Sequence, residues 1–128
     1  HVIPALIRKF HCSNSNIVTC WGDGNPLREF LYVDDFAEAC VISMKSNIEN
    51  GEHLNVGSGE EISIRSLAEM IAKITNFSGK IYWDSSKPNG TPKRLLDLSM
   101  INDLKWIPKH TLREGLTKTY QWFKEKNN

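Results

Sequence analysis

The sequence predicts a mixed α/β fold. Three features carry that expectation: amphipathic stretches with helical spacing, short runs of β-branched and aromatic residues, and the alternation of the two along the chain. About five helices and four or five strands emerge. They interleave, but the strands are too few and too scattered for a complete doubly wound sheet. No internal repeat or low-complexity tract interrupts them.

Val2 to His11 reads as a helix. Pro4 sits in its first turn, where a missing N–H does no harm, and Arg8 and Lys9 sit in its last, where cations meet the negative end of the dipole. The polar run Ser13-Asn14-Ser15-Asn16 breaks it, and Ile17 to Trp21 follows as a strand. Gly22-Asp23-Gly24-Asn25-Pro26 is a dense turn signal. Arg28 to Val33 reads as extended, with Phe30 and Tyr32 on one side and Leu31 and Val33 on the other. Asp34 or Asp35 is then placed to cap a helix to about Ser46, with Phe36, Ala39, Cys40 and Ser43 on one face.

Glu49-Asn50-Gly51 reads as a turn, Glu52 to Val56 as a strand and Gly57-Ser58-Gly59 as its end. Ser63 caps a helix whose stripe is Leu67, Ile71 and Ile74, with Ala68 and Met70 beside it, and Ser78-Gly79 stops it. Lys80 to Trp83 is a strand, Asp84 to Lys93 a polar loop, and Leu95 to Leu98 a short apolar run. Ser99 opens a brief helix to Leu104. Thr111 and Glu114 form a capping box for a last helix, Leu112 to about Lys126, that buries Leu116, Tyr120 and Phe123.

Composition narrows the function classes. The 128 residues suit one domain, and 16 Lys+Arg against 15 Asp+Glu leave a charge of +1, which argues against a dedicated nucleic-acid or anionic-membrane binder. No apolar run approaches the ~18 residues of a membrane span, and no basic-then-apolar leader is present. Cys12, Cys20 and Cys40 form no C-x-x-C pair, which favours a reducing compartment. In that setting Asn76-Phe77-Ser78 and Asn89-Gly90-Thr91 are chance matches to a glycosylation triplet. The first residue is His1 and an apolar stretch starts at once, so the expectation is a piece of a longer protein.

Few local motifs carry chemistry. Gly57-x-Gly59 lies between a strand and a helix, the setting of a dinucleotide-binding turn, but the next required glycine falls on Ile62, and a plain tight turn is the better reading. Tyr120 and Lys124 match the Y-x-x-x-K spacing of short-chain dehydrogenases, yet on a terminal amphipathic helix the pair is commonplace. His11 and Cys12 are sequence neighbours whose side chains diverge, and no cluster has metal-ligand spacing. Arg28 stands out. It opens a strand after a Gly/Asp/Pro turn, and an arginine there can clamp a phosphate through two parallel N–H bonds. Lys9, Lys80, Lys87, Lys93 and Arg94 are further cations, each more simply read alone as a solvated charge.

Taken together, longer segments resemble one family. They are His1-Val-Ile-Pro-Ala-Leu-Ile-Arg-Lys-Phe-His11, Trp21-Gly-Asp-Gly-Asn-Pro-Leu-Arg-Glu-Phe-Leu-Tyr-Val-Asp-Asp35, Leu54-Asn-Val-Gly-Ser-Gly59, Ser85-Ser-Lys-Pro-Asn-Gly-Thr-Pro-Lys-Arg-Leu-Leu-Asp97 and Tyr120-Gln-Trp-Phe123. Over nearly all 128 residues the chain resembles the second half of the GDP-L-fucose synthase family. The stretch from Arg28 to Asp35 is shared by many extended short-chain dehydrogenase/reductases acting on nucleotide sugars. The opening segment and the Ser85 to Asp97 segment are closer to the fucose synthase branch.

The resemblance implies that residues 1–128 are the C-terminal, mainly substrate-binding portion of such an enzyme, with an incomplete Rossmann-like sheet. It implies a cytoplasmic, NADPH-dependent epimerase/reductase that converts GDP-4-keto-6-deoxy-D-mannose to GDP-L-fucose. The glycine-rich NADPH turn, the catalytic Ser, Tyr and Lys, and the epimerising Cys would lie upstream. Neither Gly57-Ser58-Gly59 nor Tyr120/Lys124 would replace them, and the fragment would not turn over alone. His1 matches the family's acid/base histidine, with a contact to the cofactor as well. Lys9, Trp21, Arg28, Lys80 and Asn89 fall where the family binds substrate, Arg28 and Lys9 at the diphosphate and Trp21 at the body of the nucleotide sugar. Asn89 departs from the Asp that close relatives often carry, so it brings a hydrogen bond without a charge. The implied partner is a GDP-sugar, with no nucleic acid and no membrane. The parent would pair as a homodimer through its other half, and the helix after Asp35 and the strand ending at Val56 would pack on the cofactor domain. Two other readings stay open: another nucleotide-sugar epimerase/dehydratase, and a non-catalytic sugar-nucleotide-binding module.

Overall fold

The computed structural model describes residues 1–46, 48, 52–94 and 96–127, and its elements alternate as the pattern predicts. In order they are α1 (Val2–His11), β1 (Ile17–Trp21), β2 (Leu27–Glu29), α2 (Val33–Lys45), β3 (Glu61–Ser63), α3 (Ile64–Ile74), β4 (Lys80–Asp84), α4 (Ser99–Asp103) and α5 (Leu112–Asn127). The strands form two small sheets instead of one. β1 pairs in parallel with β4, and β2 pairs antiparallel with β3.

The main core lies where α1, α3 and α5 meet the inner face of β1. Leu6, Ile7 and Phe10 of α1 pack with Val18 and Cys20 of β1, with Leu67, Ala68, Ile71 and Ala72 of α3, and with Leu116 and Tyr120 of α5. Alternation along β1 explains its share: Val18 and Cys20 point inward while Ile17, Thr19 and Trp21 point out. Burial pushes the Cys20 thiol pKa up, against the pull of the nearby Lys9 ammonium. A second cluster joins Ala39 of α2 to Ile101 of α4 and to Trp106.

Helix ends follow the expected chemistry in two cases. The Ser63 side chain accepts the Ser66 amide at 3.0 Å. Glu114 accepts the Thr111 amide at 2.8 Å while Thr111 Oγ1 accepts the Glu114 amide at 3.3 Å, a reciprocal capping box. α3 ends at Ile74, ahead of the expected stop at Ser78-Gly79. Asn76 takes a left-handed φ of 58°, and the Phe77 amide reaches back to the Ala72 carbonyl at 2.9 Å.

Four expectations change. The ladder of β2 covers only Leu27–Glu29, because β3, its one partner among the described residues, is itself three residues long. Glu52 to Val56 is not a strand: no described strand runs beside it, and it is held instead by Leu54 and Val56 packing on the second cluster and by Asn55 bonding to the Asp97 carbonyl. α2 starts at Val33, so Asp34 and Asp35 fall in its first turn and neither caps it. On α2 only Ala39 is buried among the apolar positions; Phe36 and Cys40 are exposed, as are Val33, Val41 and Met44. The turn expected at Glu49-Asn50-Gly51, and Leu95 of the apolar run, lie outside the described residues.

Asp35 has another role. Only 2% exposed, it accepts the His110 backbone amide at 3.0 Å and faces His110 Nδ1 at 2.8 Å, tying the start of α2 to the residues before α5. His110 Nε2 lies 2.8 Å from Lys118 Nζ, so with Lys118 protonated the ring accepts there and donates from Nδ1 to Asp35. Desolvation raises the Asp35 pKa, but the bonds from the His110 ring and backbone outweigh it and hold the carboxyl below its usual range.

Two predictions follow from this packing. Leu67 is fully buried, so Leu67→Ala lowers unfolding stability by about 2–5 kcal/mol, read from a denaturant titration. For Asp35 the folded pKa lies below the unfolded value of about 3.9, so the unfolded chain protonates first as pH falls. The stabilisation is present above that value and is lost as pH drops through the folded pKa. Asp35→Asn therefore lowers the urea midpoint at neutral pH and flattens its decline in the acid limb below about pH 4.

Candidate functional site

A cleft of about 370 Å³ opens where β1 ends, lined by His1, Val2, Trp21, Gly24, Pro26, Arg28, Phe30, Ile64, Pro88, Asn89 and Gly90. Four of the residues singled out in the sequence thus meet at one place. His1 precedes α1, Trp21 ends β1, Arg28 lies in β2, and Asn89 comes from the loop after β4. The strand period explains the wall formed by β2. Pro26, Arg28 and Phe30 share the cleft side, and the intervening residues face away.

The turn between β1 and β2 is held from every side. Gly22 donates to the Asp84 carbonyl at 2.9 Å, Arg65 to Gly24 at 2.9 Å, and Ile64 to Pro26 at 3.0 Å. The Arg65 guanidinium donates to the Asp23 carbonyl while lying 4.8 Å from the Trp83 ring centre. Gly22 and Gly24 take φ of 78° and 77°, a conformation that L side chains rarely adopt. A Cβ on Gly22 would also stand 2.2 Å from Asn89 Oδ1. That oxygen accepts the Asp23 amide at 3.0 Å, so Asn89 fastens its loop onto the turn and leaves its Nδ2 as the side chain's donor. The Asn25 amide holds the Asp23 carboxyl below the usual range, and the Asn89 side chain adds to this.

Arg28 is half-buried and no carboxylate pairs with it among the described residues. Its Nη1 donates to the carbonyls of Leu27 at 2.6 Å and Thr91 at 2.7 Å, which orients the guanidinium plane. Nη2 makes no protein hydrogen bond among the described residues and lies 2.9 Å from where a Cβ on Gly90 would be. The cleft therefore presents an oriented, uncompensated cation beside an imidazole, an indole and an amide. A cleft with an oriented guanidinium of this kind can take an anion.

The other two cations stand apart. Lys9 reaches from α1 to donate to the Thr19 carbonyl of β1 at 2.9 Å. Lys80 pairs with Ile17 at the opposite end of β1, roughly 13 Å from Trp21 at ~3.3 Å per residue. Neither lines the cleft. Lys93 bridges to Glu61 at 2.9 Å.

The near-match motifs are engaged elsewhere. The Gly59 amide binds Glu29 Oε1 at 2.7 Å, so an internal carboxylate sits where a dinucleotide turn would present its amides to a phosphate. Tyr120 is buried with its hydroxyl 3.0 Å from His11 Nδ1, and Lys124 lies over its ring. The Asp35–His110–Lys118 chain escaped the sequence reading because 75 residues separate its first pair. His110 also lines a second cavity of about 350 Å³, whose walls mix Leu31, Ile62 and Met70 with Glu60, Glu61 and Lys109, and Phe30 lines both spaces.

A family model described as the NAD dependent epimerase/dehydratase family matches residues 1–57. The chain is 52% identical over 128 residues to a probable GDP-L-fucose synthase 1 of Oryza sativa subsp. japonica, covering 98% of this chain and 39% of that protein. It is 45% identical to the GDP-L-fucose synthase of Escherichia coli strain K12, with 98% and 42% covered. A crystal structure of a GDP-L-fucose synthetase from Naegleria fowleri bound to NADP superposes with a TM-score of 0.90 at 29% identity, over 99% of this chain and 41% of that one. The chain thus spans about two-fifths of the length of these relatives and corresponds to their C-terminal part.

The clasp between turn and loop gives a prediction. Gly22→Ala forces a left-handed φ on alanine and displaces Asn89, at a cost of about 1–2 kcal/mol for the backbone alone. It should also speed hydrogen exchange across residues 85–94, measured by mass spectrometry. Exchange equal to wild type would mean that Asn89 does not fasten the loop.

Proposed function

We propose that this chain, similar over its whole length to the C-terminal part of GDP-L-fucose synthases, is the sugar-nucleotide-binding portion of an NADPH-dependent epimerase/reductase. The whole enzyme would convert GDP-4-keto-6-deoxy-D-mannose to GDP-L-fucose. The observation that carries this reading is the meeting of His1 and Arg28 in one cleft, with Trp21 and Asn89 beside them.

Each residue has work suited to its chemistry. A diphosphate carries about two negative charges near neutrality, and charge-assisted bonds from the free edge of Arg28 offset its desolvation. Trp21, 68% exposed, offers a flat apolar surface to the body of the ligand. The Asn89 amide N–H₂ donates to a hydroxyl or a base edge. The substrate's C4 carbonyl acidifies the protons on C3 and C5, and the imidazole of His1 takes or returns one of them at modest cost because its ordinary pKa lies near neutral. Lys9 contributes to the same ligand only if it leaves the Thr19 carbonyl, and Lys80 only if the substrate extends to the far end of β1.

NADPH, which supplies hydride to the C4 carbonyl, finds no dinucleotide turn among the residues described. The one glycine pair in that setting is closed by Glu29. The cofactor site belongs to the part of the enzyme outside this chain, together with the cysteine that would complete the acid/base pair. The exposed Val33, Phe36, Val41 and Met44 on α2 supply an apolar face for that part to cover. No helix among the described residues is long and apolar enough to cross a membrane. The cytoplasm is the proposed location.

The test is made in the full-length enzyme. His1→Asn should abolish exchange of the C3 and C5 protons with deuterated solvent while NADPH binding stays within twofold. Arg28→Ala should weaken GDP binding by about 10- to 100-fold. Unchanged proton exchange removes His1 from the mechanism, and unchanged GDP affinity removes Arg28 from the diphosphate site. GDP favoured over UDP supports the guanosine reading; the reverse order supports a different nucleotide-sugar enzyme.

A further inference from the structure

We infer that Glu29 is a positioning residue for Arg28: its carboxylate latches the back of β2 to the Gly57-Ser58-Gly59 loop and so fixes which side of the strand the arginine faces. This rests on the reading of Arg28 as the diphosphate clamp.

The need for a latch comes from the strand itself. β2 has three residues and pairs with β3 through Leu27 opposite Ser63, Arg28 opposite Ile62 and Glu29 opposite Glu61. So short a ladder holds its register weakly. A slip of one residue would exchange the two faces, sending Glu29 into the cleft and Arg28 out of it. The same register sets two glutamates directly opposite each other, an arrangement that repels if both carboxylates are left free.

Each carboxylate is instead drawn away by its own partner. Glu61 pairs with Lys93 at 2.9 Å. Glu29 accepts the Gly59 amide at 2.7 Å, and no lysine or arginine pairs with it among the described residues. The Glu29 carboxylate also lies close against Gly57. A Cβ there would lie 2.1 Å from Glu29 Oε1 and 2.9 Å from the carboxyl carbon, so the carboxylate occupies the space that a side chain at 57 would take. A side chain at 57 would push that carboxylate aside, and glycine at 59 is favoured by its φ of 75°. The two glutamates brace the clamp from both sides, one through its own strand and one through the loop whose Thr91 carbonyl holds the Arg28 guanidinium.

The experiment uses the full-length enzyme with GDP as the probe. Glu29→Ala and Gly57→Ala reach the latch from opposite sides, the second by pushing a flexible carboxylate aside without touching β2. Both should raise the KM for the sugar nucleotide and the Kd for GDP by about tenfold while kcat stays within twofold, and both should speed hydrogen exchange of the 57–63 segment. Glu29→Gln keeps an acceptor for the Gly59 amide and should behave as wild type in all of these. Arg28→Ala should weaken GDP binding with the 57–63 exchange unchanged. If Arg28→Ala weakens GDP binding but Glu29→Ala and Gly57→Ala leave it within twofold, the latch does not position the arginine and the inference fails alone. If exchange at 57–63 is unmoved by Glu29→Ala, there is no latch. Wild-type GDP affinity in Arg28→Ala overturns the clamp reading itself and this inference with it.

Discussion

The cleft depends on one five-residue turn. Between Trp21 and Leu27 the chain must reverse, leave Trp21 at the end of one sheet and start Arg28 in the other. Two glycines in left-handed conformation make that path accessible, and the Asp84 carbonyl and the Ile64 and Arg65 amides fix it through backbone hydrogen bonds. Each of those partners also belongs to something else. Asp84 ends β4, while Ile64 and Arg65 open α3, whose later turns carry Leu67 and Ile71 into the main core. The position of the arginine relative to the imidazole is therefore set by the packing of the core, through a chain of contacts with few loose joints.

Electrostatics then separates the cations. Of the lysines and arginines near the loop after β4, Lys93 is neutralised by Glu61, and Arg65 is spent on a carbonyl and an indole face. Arg28 also bonds to carbonyls, but those are dipoles. They orient the guanidinium without cancelling its charge. A free, oriented cation at the mouth of a half-buried strand retains most of its attraction for an anion and loses little entropy on binding one. The same logic disposes of the glycine-rich turn as an anion site, since Glu29 already supplies the negative charge its amide can use.

Much of this was legible in the sequence. Helical stripes located α1, α3 and α5, and the polar cap residues Ser63 and Thr111 marked two starts correctly, because capping is a local interaction between residues three apart. Turn chemistry found the Gly22–Pro26 reversal, and the segment resemblance brought His1, Trp21, Arg28 and Asn89 together before any coordinate did. The misses were non-local. Asp35 looked like a cap because a carboxylate near a helix start usually is one, whereas its partner His110 lies 75 residues away. Glu52 to Val56 has strand composition, but a strand also needs a neighbour, and composition says nothing about that. Lys80 and Trp21 flank the same sheet, yet parallel register puts them at opposite ends, which spacing along the chain could not reveal.

The proposed activity sets a further requirement on this arrangement. Inverting a carbon requires a proton to leave one face and another to arrive on the opposite face, so a single rigidly placed imidazole cannot complete the exchange without a second group across the ring. Among the described residues that line the cleft, His1 carries the one imidazole, and Trp21, Asn89 and Phe30 offer no comparable acid/base group. On the proposed reading, the second acid/base group and the hydride donor would both have to come from residues other than those that line this cleft. Under that proposal, a surface with one acid/base group, one anion clamp and one flat aromatic wall is half of an active site, and its chemistry would be complete only when a second wall faces it.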